Sequence, residues 1–340
     1  MRSIADLVAA ELVPPDRLAA LEQVAARYAV AITPAMAELI DPADPADPIA
    51  RQFVPDPAEL VTAAVELADP IGDTAHSPVR GIVHRYPDRV LLKPVHVCPV
   101  YCRFCFRREV VGPNGDGTLT VAELDSALAY IAGRPEIWEV VVTGGDPFSL
   151  SPRRIGELIR ALAAIEHVRI VRFHTRVPVV DPERVNGALI RALRAENVTV
   201  WVVLHANHPR ELAPAARAAL DRLVDGGVPL LSQSVLLRGV NDDPAVLGAL
   251  MRALVECRVK PYYLHHADLA PGTARFRTGI AEGRALMRAL RGHYSGLCQP
   301  TYVLDLPGGH GKSPIGPSYL DERTGTICDY NGAAHTYTGE

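Results

Sequence analysis

The sequence predicts an α/β protein built around a partial (β/α)6 TIM-like barrel, and three observations lead to that prediction. Short runs rich in β-branched residues recur along the middle of the chain, the later ones about every thirty residues. Alanine-, leucine- and arginine-rich stretches of helical period separate them, as in the βα units of a parallel sheet. Polar groups follow the runs at their C-terminal ends, where parallel α/β folds build their sites. Spacing alone leaves a doubly wound sheet open as an alternative.

Residues 1–89 are predicted to form a helical, loop-rich extension ahead of the barrel. Asp16–Tyr28 and Pro57–Leu67 have helical period. The aspartate-proline run Asp41–Pro48 between them cannot continue a helix.

The barrel is predicted over residues 90–296. Its predicted strands are Val90–Val95, Glu139–Thr143, Val168–His174, Val198–His205, Pro229–Leu237 and Val259–His265. Its predicted helices include Pro152–Ile165, Pro182–Glu196, Ala213–Asp225 and Pro244–Glu256. The polar groups at the strand ends are the cysteine loop after Val95, Gly144-Gly145-Asp146, His174 with Arg176, His205 with Asn207, Gln233, His265 with Asp268, and Asp305. Their common edge predicts one large site.

Residues 297–340 are predicted to form a C-terminal segment, with a seventh β-branched run followed by the glycine-rich loop Pro307–Pro314. This loop is not a phosphate-binding P-loop, because Leu306 stands where that motif needs glycine and Pro314 disfavours the helix that must follow. A lysine presented on such a loop, here Lys312, suits a covalent imine. The alternative is a solvated surface lysine.

Composition excludes several classes of protein. The chain has 340 residues, of which 48% are hydrophobic and 22% charged, so it is not intrinsically disordered. Its formal net charge of -4 argues against nucleic acid as the main partner. The N-terminus has no secretory signal, and no stretch approaches the apolar length that crosses a membrane. We therefore expect a soluble, cytoplasmic protein that has no membrane partner.

Three of the six cysteines, Cys98, Cys102 and Cys105, form a C-x3-C-x2-C motif. A disulfide framework is not expected in a reducing compartment. Three thiolates on a short loop can hold three irons of a [4Fe–4S] cluster and leave the fourth iron open. A structural zinc would need a fourth ligand, which His96 or Cys257 could supply.

Two further groups of residues are candidates for binding charge. His84–Arg89 contains two arginines that could grip a phosphate, although such a segment can equally be a salt-bridged surface turn. Asp268 and Asp305 lie at strand ends, where an aspartate is more often solvated or capping. Neither group decides a function by itself.

The cysteine motif, with an aromatic residue before its last cysteine, resembles that of the radical S-adenosylmethionine (radical SAM) superfamily. In that superfamily the open iron binds the amino and carboxylate groups of S-adenosylmethionine, and reduction yields a 5′-deoxyadenosyl radical. Gly144-Gly145-Asp146, one strand after the cysteines, resembles the glycine-rich motif that contacts the methionine amino group. Here Asp146 replaces the commoner glutamate.

Over most of its length the chain resembles the lysine 2,3-aminomutases, which are radical SAM enzymes that also need pyridoxal 5′-phosphate. The segments that carry the resemblance are Ile32–Pro34 with the aspartate-proline run, His84–Arg89, Cys98–Arg108, Thr143–Pro147, His205–Pro209, Gln233–Leu237, Pro261–His265, Arg291–Gly296 and Pro307–Pro314.

The resemblance implies a role for each matching residue. Lys312 matches the lysine that forms the imine with pyridoxal phosphate. Arg85, Tyr86 and Arg89 would line this cofactor, and the two arginines would contact its phosphate. S-adenosylmethionine would contact the glycine motif, His205 and Gln233. The substrate carboxylate would pair with Arg107, and the ε-ammonium of lysine with Asp268 and Asp305. Buried carboxylates need a cation opposite them, so the acidic pair favours lysine over glutamate.

The implied reaction moves the α-amino group of L-lysine to Cβ and gives β-lysine. The alternatives are (R)-β-lysine synthesis for elongation factor P, and an aminomutase acting on another amino acid. A reductant such as flavodoxin or ferredoxin and a possible homo-oligomer are expected as partners. Relatives with an intersubunit zinc carry several cysteines in a C-terminal tail, for which this sequence offers only Cys328. Another zinc cysteine of those relatives lies just after an Asn-Asp pair, whereas here Asp243 follows Asn241-Asp242. We therefore expect no structural zinc.

Overall fold

The computed structural model describes residues 1–112, 115 and 117–337. Among these residues, nine strands form one sheet, in which the strand order follows the chain. They are β1 Ile82–Tyr86, β2 Arg89–Val95, β3 Glu139–Gly144, β4 Ile170–Thr175, β5 Thr199–His205, β6 Leu230–Leu236, β7 Lys260–His266, β8 Thr301–Leu306 and β9 Gly311–Pro314. Neighbours from β2 to β8 are parallel, while β1 and β9 pair antiparallel at the two edges.

A side chain brings the two edge strands of this sheet together. The backbone N–H of Lys312 in β9 donates to Oη of Tyr86 in β1 at 2.7 Å. Gly311 allows the approach, since its φ is +89° and a Cβ there would lie 2.9 Å from the same oxygen. The sheet thus curls into a nearly closed barrel, with Lys312 at the point of closure.

The predicted α/β class and barrel are confirmed, and the sheet extends beyond the six predicted strands. All six are present, and the seventh run, Thr301–Leu306, continues the parallel sheet as β8. The two antiparallel strands were not predicted. β9 reads Gly-Lys-Ser-Pro, a composition typical of turns, and its pairing with β8 decides its conformation.

Eleven α-helices lie among the described residues. They are α1 Ile4–Ala9, α2 Leu18–Arg27, α3 Pro34–Ala37, α4 Pro48–Phe53, α5 Val121–Ala132, α6 Pro152–Ala163, α7 Val177–Val180, α8 Gly187–Ala192, α9 Pro214–Asp225, α10 Pro244–Glu256 and α11 Ile280–Leu290. The helix predicted over Pro57–Leu67 is wrong, because only a 3-10 turn, Pro57–Leu60, forms there. The aspartate-proline run makes turns until Asp47, which caps α4 through the N–H groups of Ile49 and Ala50.

One hydrophobic core joins the N-terminal extension to the barrel. Successive residues of β3, Val140, Val141 and Val142, are all at most 2% exposed, as expected of a parallel strand covered on both faces. Leu7 and Phe53 of the extension are fully buried in the same core. The extension therefore packs as part of the barrel's support.

The C-terminal end of the described chain lies on a second, smaller sheet. Three short strands, β10 Leu320–Asp321, β11 Thr326–Cys328 and β12 Ala334–Thr336, pair antiparallel. Their side chains are mostly exposed. No helix within the described ranges has the length and apolarity needed to span a membrane.

Candidate active site

A cavity of about 530 Å³ occupies the barrel beside the loops that follow its strands. Every site residue proposed from the sequence contributes to its lining, although these residues are spread from β1 to β9. They are Arg85, Tyr86, Arg89, Cys98, Cys102, Cys105, Arg107, Gly144, Gly145, Asp146, His205, Gln233, Asp268, Asp305 and Lys312. The fold thus gathers them around one space, and their individual roles stay predictions.

The three cysteines lie on the loop after β2 and are all free thiols. Burial raises the pKa of Cys98 well above its usual value, and the charges of Asp146 and the other two cysteines add to this. Burial and the neighbouring Cys102 raise the pKa of Cys105 to about 11. Such closely spaced thiolates need positive charge among them, which metal ions supply.

This donor set fits a [4Fe–4S] cluster better than a single ion. Within the described ranges, no three His, Cys, Asp or Glu side chains are placed to hold one metal ion. A [4Fe–4S] cluster instead assigns each cysteine to its own iron, so the sulfurs need not converge on one point. Three cysteines also leave one iron for another ligand. The expectation of no structural zinc stays a prediction.

Buried ion pairs hold the cysteine loop in place. Arg103, 1% exposed, donates to both carboxylate oxygens of Glu59 at 2.6–3.1 Å. Arg108 donates to the same carboxylate and to the carbonyl of Arg103. Glu59 lies in the N-terminal extension, in a part of it that the sequence did not connect with the site. The extension therefore helps to fix the loop that carries the thiols.

The Gly144-Gly145-Asp146 turn is packed directly against the start of the cysteine loop. The N–H of Gly145 donates to the carbonyl of Val95 at 2.6 Å, and that of Asp146 to Val97 at 3.1 Å. Gly144 has a φ of +114°, and a Cβ on Gly145 would lie 2.5 Å from the Val97 carbonyl oxygen. Both glycines are thus required by a close approach of two backbones.

The carboxylate of Asp146 accepts hydrogen bonds from groups of the protein itself. It accepts from the backbone N–H of Phe148 at 3.0 Å, from Oγ1 of Thr175 at 2.7 Å and from the N–H of Arg176 at 2.7 Å. Asp146 therefore shapes the turn and links β3 to β4. The groups that this turn offers to a ligand are its backbone atoms.

Lys312 forms an ion pair with one of the two predicted lysine-binding aspartates. Its Nζ donates to Oδ1 of Asp305 at 2.8 Å, and Nδ1 of His265 lies 3.5 Å from the other oxygen. Burial opposes ionisation of Asp305, but His265 and the charge of Lys312 outweigh it and lower the pKa. Asp305 is therefore a carboxylate that already holds an ammonium group.

Asp268 has the opposite electrostatic setting. Burial and the charge of Asp305 raise its pKa to about 7, against the weaker opposing effects of Lys312 and Arg107. Two neighbouring carboxylates cannot both ionise easily in a buried site. A cation placed between Asp268 and Asp305 would remove that conflict.

Arg107, predicted to bind the substrate carboxylate, is held by Asp73, a residue that sequence reasoning missed. Its Nη2 lies 3.0 Å from Oδ2 of Asp73, and Nη2 of Arg85 lies 3.0 Å from Oδ1. Lys93 is 3.8 Å away. Burial opposes ionisation of Asp73, but Arg107, Lys93 and Arg85 together lower its pKa. Asp73 lies in an irregular segment with no motif, so no sequence signal marked it.

Arg89 lies at the other end of the cavity from the cysteines. Its guanidinium stacks 3.9 Å from the centre of the Tyr86 ring and pairs with Asp88. Nearby, Arg172 makes a two-point pair with Glu139 at 2.8 and 3.1 Å. This end of the barrel therefore presents cations among aromatic rings.

His205 and Gln233 lie opposite each other on β5 and β6. Burial lowers the pKa of His205, so the ring is neutral. Burial does the same for His174 and His265, which the sequence placed at strand ends without a role. Each of these three rings has an Nε2 with no hydrogen-bond partner among the described residues. They are polar atoms facing a space sized for ligands.

Comparison with known proteins agrees with this geometry. The radical SAM superfamily matches residues 92–247, and the lysine-2,3-aminomutase family matches residues 287–339. An L-lysine 2,3-aminomutase from Clostridium subterminale is 42% identical over 312 residues, which are 91% of this chain and 74% of that one.

The chain belongs to the lysine 2,3-aminomutase family.

Two further relatives show how the family varies. An L-lysine 2,3-aminomutase from Acetoanaerobium sticklandii is 41% identical over 91% of this chain and 75% of that one. A glutamate 2,3-aminomutase from Clostridioides difficile is 36% identical over 88% of this chain and 70% of that one. The protein is thus a radical SAM aminomutase, an isomerase, and its superfamily implies a [4Fe–4S] cluster and S-adenosylmethionine. Overall similarity separates lysine from glutamate only weakly, so the site must decide the substrate.

The contact between the glycine turn and the cysteine loop generates a prediction. Gly145→Ala should push the Val95–Val97 backbone away and lower the iron content after anaerobic reconstitution by at least about threefold, since a misplaced loop cannot present three thiolates together. Iron and sulfide analysis measures this. Gly296→Ala is the matched control, because nothing lies within 4 Å of a Cβ there. Equal iron in both variants would contradict the prediction.

Proposed function

We propose that this aminomutase interconverts L-lysine and β-lysine by a 1,2-amino shift. The observation that carries the proposal is the charge arrangement inside one cavity, where Asp268 and Asp305 form an acidic pair and Arg107 supplies a cation. Lysine carries a side-chain ammonium group and an α-carboxylate, which are complementary to these two features. The L-lysine 2,3-aminomutases among its relatives support the same substrate.

The acidic pair separates lysine from glutamate as the substrate. A γ-carboxylate placed beside Asp305, which stays ionised, would add a further negative charge to a buried site. A side-chain ammonium group instead satisfies both carboxylates. Lysine therefore gains interactions where glutamate would meet repulsion.

Pyridoxal 5′-phosphate is proposed as a further cofactor, with Lys312 as its covalent attachment. The Tyr86 hydroxyl fixes the Lys312 backbone, and the Lys312 side chain lines the cavity. Arg89 and Arg85 are the proposed phosphate contacts. Arg85 is engaged by Asp73 in the structure, so it would bind phosphate from within that ion pair.

The protein's own residues bind, orient and shield the reactants. Arg107 would exchange Asp73 for the substrate carboxylate, and Asp305 would exchange Lys312 for the substrate ammonium group. His205, Gln233 and the backbone of the glycine turn are proposed to hold S-adenosylmethionine beside the cysteines. When bound, the cluster with S-adenosylmethionine supplies a hydrogen-abstracting radical, and pyridoxal phosphate supplies the π-system that stabilises the migrating group. Exclusion of water from the cavity would protect these reactive species.

Each region of the chain has its own task in this function. Residues 1–89 support the cysteine loop and end in the cofactor-contacting turn, residues 90–296 form the radical SAM barrel, and residues 297–340 bring Lys312. We further propose a cytoplasmic location, where the free cysteines stay reduced, and electron supply by a small protein such as flavodoxin or ferredoxin. A homo-oligomer is compatible with this assignment.

The experiment that tests this function combines metal and cofactor analysis. Protein reconstituted anaerobically should hold about four irons and four sulfides per chain. With pyridoxal phosphate added it should absorb at about 420 nm, the band of a lysine imine, and Lys312→Ala should lose that band while it keeps its iron. Zinc in place of iron, or an unchanged spectrum in Lys312→Ala, would contradict the proposal.

The raised pKa of Asp268 predicts a pH-dependent affinity for lysine. Below about pH 7 this carboxyl is protonated and attracts the ε-ammonium less, so the dissociation constant should fall as pH rises from about 6 to 8. Binding near pH 7 should also release protons, because the bound cation lowers the pKa. Calorimetry in buffers of different ionisation enthalpy measures both effects.

Asp268→Asn is the control for this pH dependence. It should bind lysine at least about tenfold more weakly at pH 8 and lose the dependence around pH 7, because one carboxylate is gone. A pH dependence that persists unchanged in Asp268→Asn would assign it to another group.

A further inference from the structure

Arg176 touches the cysteine loop but has no role in the proposed reaction so far. It follows β4 directly, and 5% of its surface is exposed. Its Nη1 donates to Sγ of Cys102 at 2.9 Å. The structure thus places a permanent positive charge against one sulfur of the proposed cluster site.

The rest of Arg176 is anchored on several sides, so this contact is fixed in space. Its Nη2 donates to Oε2 of Glu211 at 2.7 Å and to Oε1 of Gln52 at 2.5 Å. Its backbone N–H donates to Asp146 at 2.7 Å. The residue therefore ties the cysteine loop to the glycine turn and to the N-terminal extension.

Glu211 is itself buried and held by its neighbours. Its Oε1 accepts from the backbone N–H groups of Asn207 and His208 at 2.9 and 3.0 Å. Its negative charge partly offsets that of Arg176. The guanidinium lies nearer to the sulfur than the carboxylate does, because it stands between them, so its effect on the sulfur is the larger one.

Hydrogen bonds to the sulfurs and nearby charge both set the potential of an iron–sulfur cluster. Reduction adds a negative charge to the cluster. An N–H donor and a cation at a ligating sulfur therefore stabilise the reduced form more than the oxidised form. The sign of the effect is an upward shift of the reduction potential.

We propose that Arg176 is a positioning residue that raises the reduction potential of the cluster through its contact with Cys102. The proposal rests on the function proposed above, since it needs a cluster on these cysteines. It gives the buried arginine a task in electron acceptance, the step that precedes radical formation. Removal of Arg176 makes the cluster harder to reduce.

A redox titration of the reconstituted protein, followed by electron paramagnetic resonance, tests this. Arg176→Met should lower the ratio of reduced to oxidised cluster at fixed potential by at least about tenfold, which equals about 59 mV for one electron. Arg176→Lys keeps the positive charge and should shift the reduction potential less than Arg176→Met does. Glu211→Gln removes the opposing charge and should shift the potential upward. Arg184→Met is the matched control, since Arg184 donates to the carbonyls of Phe148 and Ser149 instead, and it should titrate like the wild type.

A purely structural role would lower iron content without these opposite shifts. If the variants hold no iron, the wild-type protein provides the test. An N–H donor on Sγ of Cys102 requires that exchange into D2O shifts the Fe–S(Cys) stretching bands of the wild type.

The proposal would be overturned if Arg176→Met had the wild-type reduction potential. Where no variant holds iron, it would be overturned if the wild-type bands did not respond to D2O. Wild-type protein that binds no iron would contradict the proposed function rather than the role of Arg176.

Discussion

Charge balance inside a buried barrel is the constraint on which this site depends. An ion moved from water into a protein interior loses several kcal/mol unless a partner compensates. Asp73 is paired with Arg107, Arg85 and Lys93, and Asp305 is paired with Lys312. Asp268 lies beside this second pair, and burial with the charge of Asp305 disfavours its ionised form. These pairs compensate the charges of Asp73 and Asp305, whereas the ionised form of Asp268 would be favoured by a further cation beside it.

The same constraint explains how the site can accept a doubly charged amino acid. The substrate carboxylate can take the place of Asp73 on Arg107, and the substrate ammonium group can take the place of Lys312 on Asp305. Arg107 and Asp305 are therefore paired before and after the exchange, and Asp73 keeps Arg85 and Lys93 as partners. Selectivity then follows from Asp268, which gains a favourable ion pair only when the incoming side chain is a cation.

The sequence predicted the parts of the site that short motifs encode, and the structure supplied those that depend on the fold. Cys98, Cys102 and Cys105 are recognisable because three irons need three thiolates close in sequence. Gly145 is recognisable because it belongs to a short glycine motif at the end of a predicted strand. Asp73 lies in an irregular segment, and Glu59, the partner of the cysteine-loop arginines, lies in the 3-10 turn Pro57–Leu60. Contact across the fold decides the role of both residues. Strand β9 was missed because its composition is that of a turn, whereas the capping box of Thr120 and Glu123 could have revealed α5. Arg176 was visible at a strand end, but its sulfur contact was not.

The central claim is that Asp268 and Asp305 bind the side-chain ammonium group of the substrate. A comparison of L-lysine with L-norleucine tests this claim most directly. Norleucine keeps the carbon chain and the α-carboxylate of lysine but lacks the ε-ammonium group. With protein holding cluster, S-adenosylmethionine and pyridoxal phosphate, kcat/KM for norleucine should be lower by at least about 100-fold, since the buried acidic pair then receives no substrate ammonium group. Comparable kcat/KM values for the two amino acids, or a higher value for glutamate than for lysine, would contradict the account.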